Sequence, residues 1–234
     1  MSKVFVIPDI HLKPWMLEEA ERAVEKDAYD QIVFLGDVVD DWHQERNLEL
    51  YRETFDAIIG FIEKHDNVKF CVGNHDISYV WEALESGYSS FARETVLDGI
   101  DRLKAALPEE SIAFIHRIDN VLFSHAGLME LFVDHYFLNR PEDIDELLLL
   151  VNKCGKKKMW TDVSPIWARP QDGTLELYSD YIQVVGHTPV RKPEERGKLL
   201  TLDTFSTTAW GQAIGDQRFV WIDTIEQNWG YVET

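Results

Sequence analysis

Cysteine is scarce in this chain of 234 residues: only Cys71 and Cys154 occur, far apart and in no C-x-x-C pair. That excludes a disulfide framework and a thiolate-bound metal, and it fits a reducing compartment. Positive charge is short as well, since 23 Lys and Arg stand against 42 Asp and Glu, a formal charge of −19. Such a surface repels nucleic acid and anionic membrane at long range. Long apolar runs are missing. The longest, Leu147 to Val151, falls far short of the ~20 residues that span a bilayer. No signal-peptide pattern precedes the first apolar segment. These absences point to a soluble, cytoplasmic protein with neither a nucleic-acid nor a membrane partner. What remains is an ordinary globular composition, 45% hydrophobic and 28% charged. A chain of this length buries about 70% of its unfolded surface without staples.

Short apolar runs recur at Val4 to Ile7, Ile32 to Leu35, Val68 to Val72, Val121 to Phe123, Ile182 to Val185, Leu199 to Leu202 and Phe219 to Ile222. Rich in Val, Ile, Leu and Phe and bounded by polar residues or Gly, they read as buried strands. Between them, Asn47 to His65 places Leu48, Tyr51, Phe55, Ile58, Ile59 and Ile62 on one helical face. Trp15 to Lys26 and Glu142 to Lys153 are further helices, the second closed by Gly155. Strands and helices alternate in the first half, as in βαβ units, and the last third is more purely β. There is no internal repeat and no low-complexity segment. Residues 1–234 read as one domain, with a helical insertion around 78–110. Lys156-Lys157-Lys158, the only basic run, reads as a solvated turn.

Five of the strands end in polar motifs. They are Asp9-Ile10-His11, Gly36-Asp37-Val38-Val39-Asp40, Gly73-Asn74-His75-Asp76, Ser124-His125-Ala126-Gly127 and Gly186-His187-Thr188. Ligands gather outside the carboxyl ends of strands in open α/β sheets, so the five converge on one site. Asp, His and Asn without Cys are oxygen and nitrogen donors, suited to Mn²⁺, Fe or Zn²⁺. Asp9 and His11 are two apart and point to the same side of an extended segment. The glycines before Asp37, Asn74 and His187 permit sharp turns and close approach. A lone Asp after Gly is more often a turn, and a lone His is usually just hydrogen-bonded. The weight lies in the set.

In this order the motifs D-x-H, G-D-x-x-D, G-N-H-D, S-H-A-G and G-H-T resemble the calcineurin-like metallophosphoesterases. They are most similar to the serine/threonine phosphoprotein phosphatase branch, which includes the symmetrical diadenosine tetraphosphate hydrolases. The resemblance implies an α/β fold bordering on α+β, a four-layer αββα sandwich with two central mixed β-sheets. It implies a dinuclear metal site at the strand C-terminal ends, with Mn expected and Fe or Zn as alternatives. Asp9 and His11 would hold the first metal, Asp37 would bridge, and Asn74, His125 and His187 would hold the second. His75 would be the general acid, oriented by Asp40. Trp167-Ala168-Arg169 matches the family's W-x-R segment, making Arg169 a phosphate clamp, with Asn74 and His75 beside it at the substrate. A metal-bridging hydroxide would attack phosphorus in line.

The resemblance has departures. The second motif usually continues with Arg, a second clamp, where this chain has Asp41 and Trp42, so Lys13 or Arg46 is a candidate substitute. Pro8 and Leu12 flank the first motif where the phosphoprotein branch has glycines. Pro189 replaces a second histidine found in related nucleases. Asp203 echoes an I-D-T segment and reads as support from behind. His65, His116 and His135 read as structural, and His43, close behind the second motif, as a residue that could face the cleft. The expected activity is hydrolysis of a phosphomonoester, on a phosphoprotein or a small metabolite. The near alternative is hydrolysis of a dinucleoside polyphosphate, with Trp42, Trp81, Tyr88 and Trp167 available to stack a nucleotide base. A scaffold with a dead site is the third. The oligomeric state is not legible.

Overall fold

The computed structural model describes residues 2–233. The chain runs β1 (Lys3–Ile7), α1 (Trp15–Lys26), β2 (Gln31–Phe34), α2 (Leu48–Ile62), β3 (Val68–Cys71), α3 (Asn74–Trp81) and α4 (Arg93–Ala106). It continues through β4 (Ile112–Ala113), β5 (Ile115–Ile118), β6 (Val121–Ser124), α5 (Glu130–Tyr136), α6 (Ile144–Asn152) and α7 (Lys156–Met159). After α7 the regular elements are strands apart from one short 3₁₀ turn: β7 (Ile182–Val185), β8 (Glu194–Arg196), β9 (Leu199–Thr201), β10 (Val220–Asp223) and β11 (Asn228–Tyr231). No described helix is long and apolar enough to cross a membrane. Cys71 and Cys154 are both free and buried.

Two sheets form, ordered β11-β10-β1-β2-β3-β4 and β5-β6-β7-β9-β8. Successive side chains of a strand point to opposite faces, and here both faces are buried. In β1, Phe5 and Ile7 join Phe34 of β2 against Met16 of α1, Phe55 of α2 and Val96 of α4. Their neighbours Val4 and Val6 face the other way and meet Val121, Phe123, Val184 and Leu200 of the second sheet. On the far side, Ile115 and Leu122 pack under Phe132 of α5, Leu147 and Val151 of α6 and Met159 of α7. Helices, sheet, sheet, helices: the three apolar interfaces define the four layers. Each fully buried Phe, Ile or Leu contributes about 1.5–3 kcal/mol.

The seven apolar runs are the seven interior strands. The four strands that pattern reading misses, β4, β5, β8 and β11, are the four sheet edges. An edge strand has only one neighbour and keeps polar residues, as Glu194-Glu195-Arg196 shows, so no continuous apolar run marks it. Helix ends differ from expectation too. Asn47 lies outside α2 as its cap, Oδ1 accepting from the Leu50 N–H at 3.3 Å. Asp143 caps α6 in the same way. Gly155 does not close that helix, which ends at Asn152; its extended backbone instead precedes α7. The three lysines therefore form a helical turn, and Lys156 Nζ donates to the Trp81 carbonyl at 2.8 Å.

His116 of β5 ties the two sheets together, its Nε2 lying 3.1 Å from the Phe70 carbonyl of β3. Burial pushes its pKa down to about 4. Between an unfolded-state value near 6.5 and that value, the unfolded chain holds a proton that the folded chain lacks. Stability is therefore lost as pH falls across this window, by up to about 3 kcal/mol. In urea titrations from pH 7 to 4.5, His116→Gln should lose stability less steeply than the wild type. Parallel curves would remove His116 as the cause.

Candidate metal centre

β1 to β3 are parallel, as are β6, β7 and β9, and their carboxyl ends meet at one rim. After β1 the chain turns through Asp9, fully buried, to His11. The His11 Nδ1–H is directed at the Asp40 carbonyl, 2.8 Å away, which leaves Nε2 facing Asp37 Oδ2 at 3.8 Å. Asp37 Oδ1 accepts the His75 N–H at 2.9 Å, and Oδ2 lies 3.1 Å from His125 Nε2. Across the sheets, the His125 Nδ1–H points to the Leu35 carbonyl at 2.8 Å. That fixes its tautomer, as outer partners of ligating histidines do, and frees Nε2. The same nitrogen approaches Asn74 Oδ1 at 2.9 Å and His187 Nδ1 at 3.0 Å. The His187 N–H closes the ring onto Asp9 Oδ1 at 2.8 Å. The structure thus brings together Asp9, His11, Asp37, Asn74, His125 and His187.

Their ligand atoms form two clusters, Asp9–His11–Asp37 and Asp37–His125–His187, each within 4.8 Å and sharing Asp37. Several features fit this donor set to divalent cations. Asp9 Oδ2 and His187 Nε2 are buried with no hydrogen-bond partner. A Cβ at Gly73 would collide with Asp37 Oδ1, and one at Gly186 with Asp9 Oδ2, so these glycines leave room only for the carboxylates. His11, Asp37, Asp40 and His187 all adopt left-handed backbone, with φ of 43°, 51°, 65° and 62°. Such residues cost of order 1–3 kcal/mol each and gather where function over-determines geometry. Burial, then the charge of Asp203, raises the Asp9 carboxyl well above its usual range. For Asp37 burial acts in the same sense, but the charges of His125 and His75 prevail and hold it low. His125 is pushed up to about 9, burial being outweighed by Asp37.

Beside the clusters, His75 directs Nδ1 to Asp40 Oδ2 at 3.1 Å. Asp40 Oδ1 accepts the hydroxyls of Tyr51, at 2.8 Å, and Tyr79. Burial disfavours a charged imidazole here, yet Asp37, Asp40 and Glu85 hold the His75 pKa well above its ordinary value. Glu85 carries no motif and escapes sequence reasoning. Asp76, the last residue of the third motif, has a role the sequence does not reveal. It accepts the N–H groups of Asp37, Val38 and Gly73, at 2.9, 2.9 and 3.0 Å, and locks the second and third motifs together.

A cavity of about 380 Å³ opens over the site. Among the described residues Arg169 is its one lining guanidinium, with Nη1 donating to Thr188 Oγ1 at 3.0 Å and to the His187 carbonyl at 3.2 Å. Neither candidate substitute for the second clamp lines this cavity. Lys13, 6% exposed, pairs with Asp41 Oδ2 at 3.2 Å, and the Arg46 guanidinium lies 5.7 Å over the Phe91 ring. Asp41 does not cap α2; it accepts the Trp42 N–H and the Thr207 hydroxyl. Trp42 and Trp167 line the cavity, whereas Trp81 packs on Phe114 and Trp160, and Tyr88 stacks on Tyr79. His43 turns its Nε2 to the Ala209 carbonyl at 3.1 Å and is not part of the lining. Asp203 reaches the cavity edge and bonds the Ser206 amide and hydroxyl at 3.2 and 2.9 Å.

Among solved structures, the chain resembles a protein serine/threonine phosphatase from Saccharomyces cerevisiae with similarity to human phosphatase PP5. The TM-score is 0.55 at 15% identity, over 99% of this chain and 80% of that one. A metallophosphoesterase from Sphaerobacter thermophilus aligns at TM-score 0.45 and 16% identity, over 99% and 88% of the two chains. No curated protein sequence matches. The profile described as calcineurin-like phosphoesterase matches residues 2–215. Because that match spans all five strand-end motifs from Asp9 to His187, the chain belongs to the calcineurin-like phosphoesterase family.

Proposed function

We propose that the protein is a dinuclear phosphoesterase hydrolysing phosphomonoesters, of phosphoserine or phosphothreonine in a protein or of a small metabolite. The observation that carries this reading is Asp37, shared by two Asp/His clusters in which Asp9 Oδ2 and His187 Nε2 are buried without a hydrogen-bond partner. Family membership supports metal-dependent hydrolysis of phosphoesters. Asp9, His11 and Asp37 would hold one divalent ion and Asp37, Asn74, His125 and His187 the other, Mn²⁺ suiting the nitrogen and oxygen donors. When bound, such a pair supplies an activated water and Lewis acidity at the phosphoryl oxygens. The chain supplies the rest: His75 Nε2 protonates the leaving oxygen, Asp40 orients the ring, and Arg169 grips the phosphate. Residues 1–234 act as one domain.

Mn²⁺-loaded protein should turn over p-nitrophenyl phosphate. No turnover with Mn²⁺, Fe²⁺ or Zn²⁺ would favour a binding scaffold. Trp42, 56% exposed on the cavity wall, favours a second reading, hydrolysis of a dinucleoside polyphosphate with a base stacked on the indole. Preference for diadenosine tetraphosphate over monoesters would select it.

Arg169 gives a further prediction. With Lys13 committed to Asp41 and Arg46 over Phe91, no second Lys or Arg among the described residues lines the cavity to share the phosphate with Arg169. Arg169→Ala should therefore lower kcat/KM on a monoester about 10²–10³-fold, as when one preorganised donor to a developing charge is removed. A silent Arg169→Ala would dissolve the clamp assignment.

A further inference from the structure

Beside the two clusters that share Asp37 stands a third group of titratable side chains, Asp40, His75 and Glu85, of which Glu85 has no role so far. Glu85 lies between α3 and α4, and its side chain is 4% exposed. Its Oε1 sits 3.1 Å from His75 Nδ1, the nitrogen that Asp40 Oδ2 also approaches at 3.1 Å. The Nδ1–H is aligned with Asp40, and no donor meets either Glu85 oxygen. A buried carboxylate without a donor is strongly disfavoured unless a positive group faces it. Among the described residues, His75 supplies the one Lys, Arg or His nitrogen within 4.0 Å.

The backbone around Glu85 is built to hold that approach. Gly87, at φ 111°, passes so close that a Cβ would stand 3.1 Å from His75 Cε1 and 3.4 Å from Asp40 Cβ. The Ser89 N–H donates to the Tyr79 hydroxyl at 2.9 Å, and the Tyr88 ring stacks on Tyr79 with centroids 4.5 Å apart. Tyr79 in turn donates to Asp40 Oδ1. One tyrosine therefore fastens both the segment that carries Glu85 and the carboxylate that orients His75.

We propose that Glu85 is a second positioning residue, holding the His75 imidazole at Nδ1 jointly with Asp40 and so fixing the direction of Nε2 into the cavity. The assignment rests on the reading of His75 as general acid. Asp40 provides the aligned hydrogen bond, and Glu85 provides a charge on the other side of the same nitrogen. Each partly covers for the loss of the other.

The test compares wild type, Glu85→Gln, Asp40→Asn and the double variant, with kcat and KM measured under saturating Mn²⁺ on ethyl phosphate and on p-nitrophenyl phosphate. Glu85→Gln should lower kcat on ethyl phosphate about tenfold, the lower end of the effect of losing an outer partner of an oriented histidine. KM should stay level and p-nitrophenyl phosphate turnover should change little. The double variant should lose more than the product of the single losses, because redundancy breaks additivity. Equal losses on the two substrates, or strict additivity, would overturn the proposal. Glu85→Asp, which keeps the charge but draws it back, should fall between wild type and Glu85→Gln. It serves as the decisive variant if Glu85→Gln does not fold. His75→Gln is the control. If it shows no leaving-group dependence, the acid assignment and this inference both fall. If it does and Glu85→Gln does not, only the inference falls.

Discussion

Asp37→Asn is expected to reduce bound metal from about two ions per chain to one or fewer, and to lower kcat/KM by about 10³-fold or more. The substitution is close to isosteric. Asn Oδ1 still accepts the His75 N–H that Asp37 accepts at 2.9 Å, and the amide still fits where Gly73 gives way. The fold around α3 should therefore persist. What disappears is the negative charge that both clusters share, and a neutral amide cannot balance two cations. Metal analysis reads the loss directly. Thermal unfolding gives a second measure independent of turnover. A ligand at 100 times its Kd stabilises the folded chain by about 2.7 kcal/mol per site, so Mn²⁺ should raise the wild-type Tm well above that of the variant. A variant with two ions and full activity would sink the bridging role.

How the site is assembled explains what could be read from the sequence. Asp9, Asp37, Asn74, His125 and His187 each follow an interior strand. An interior strand buries both faces, so its apolar run is continuous and its end is easy to see, as at Ile32 to Leu35 before Gly36-Asp37. Edge strands such as β8 and β11 carry no such run, and they place no residue in the two clusters. The interior strands and the place of the five motifs at their ends were therefore legible through one physical feature, while the two-sheet sandwich and the ligand roles were implied by the resemblance alone. Glu85 was not legible, because nothing periodic leads to it. Gly87 and the Tyr79–Tyr88 stack bring it to His75, and both are tertiary features. The fate of Asp41 was hidden for a similar reason. Its partner Lys13 is 28 residues away, and only the fold shows that each neutralises the other. Helix ends misled where a glycine could serve two helices. Gly155 reads as the stop of α6 yet is spent on the start of α7.

His75→Gln is expected to lower kcat on ethyl phosphate about 10²–10⁴-fold, while the loss on p-nitrophenyl phosphate stays much smaller. An alkoxide is a strong base and leaves only with a proton, whereas p-nitrophenolate departs without one. Gln preserves the length of the side chain and its backbone N–H to Asp37, so positioning of that carboxylate survives. It cannot deliver a proton. In the wild type, Tyr51 and Tyr79 saturate Asp40 Oδ1 and leave Oδ2 for His75 Nδ1 at 3.1 Å, so Nε2 is the nitrogen free to act in the cavity. The neighbouring residue provides the contrast. Asn74 Oδ1 lies 2.9 Å from His125 Nε2, in the second cluster, so Asn74→Ala should weaken metal binding and depress both substrates alike. Two adjacent side chains at the start of α3 then differ in kind, one read through the leaving group and the other through metal content. If His75→Gln lost the same factor on both substrates with its metal intact, proton delivery would not be its task, and the leaving oxygen would have to take its proton from water.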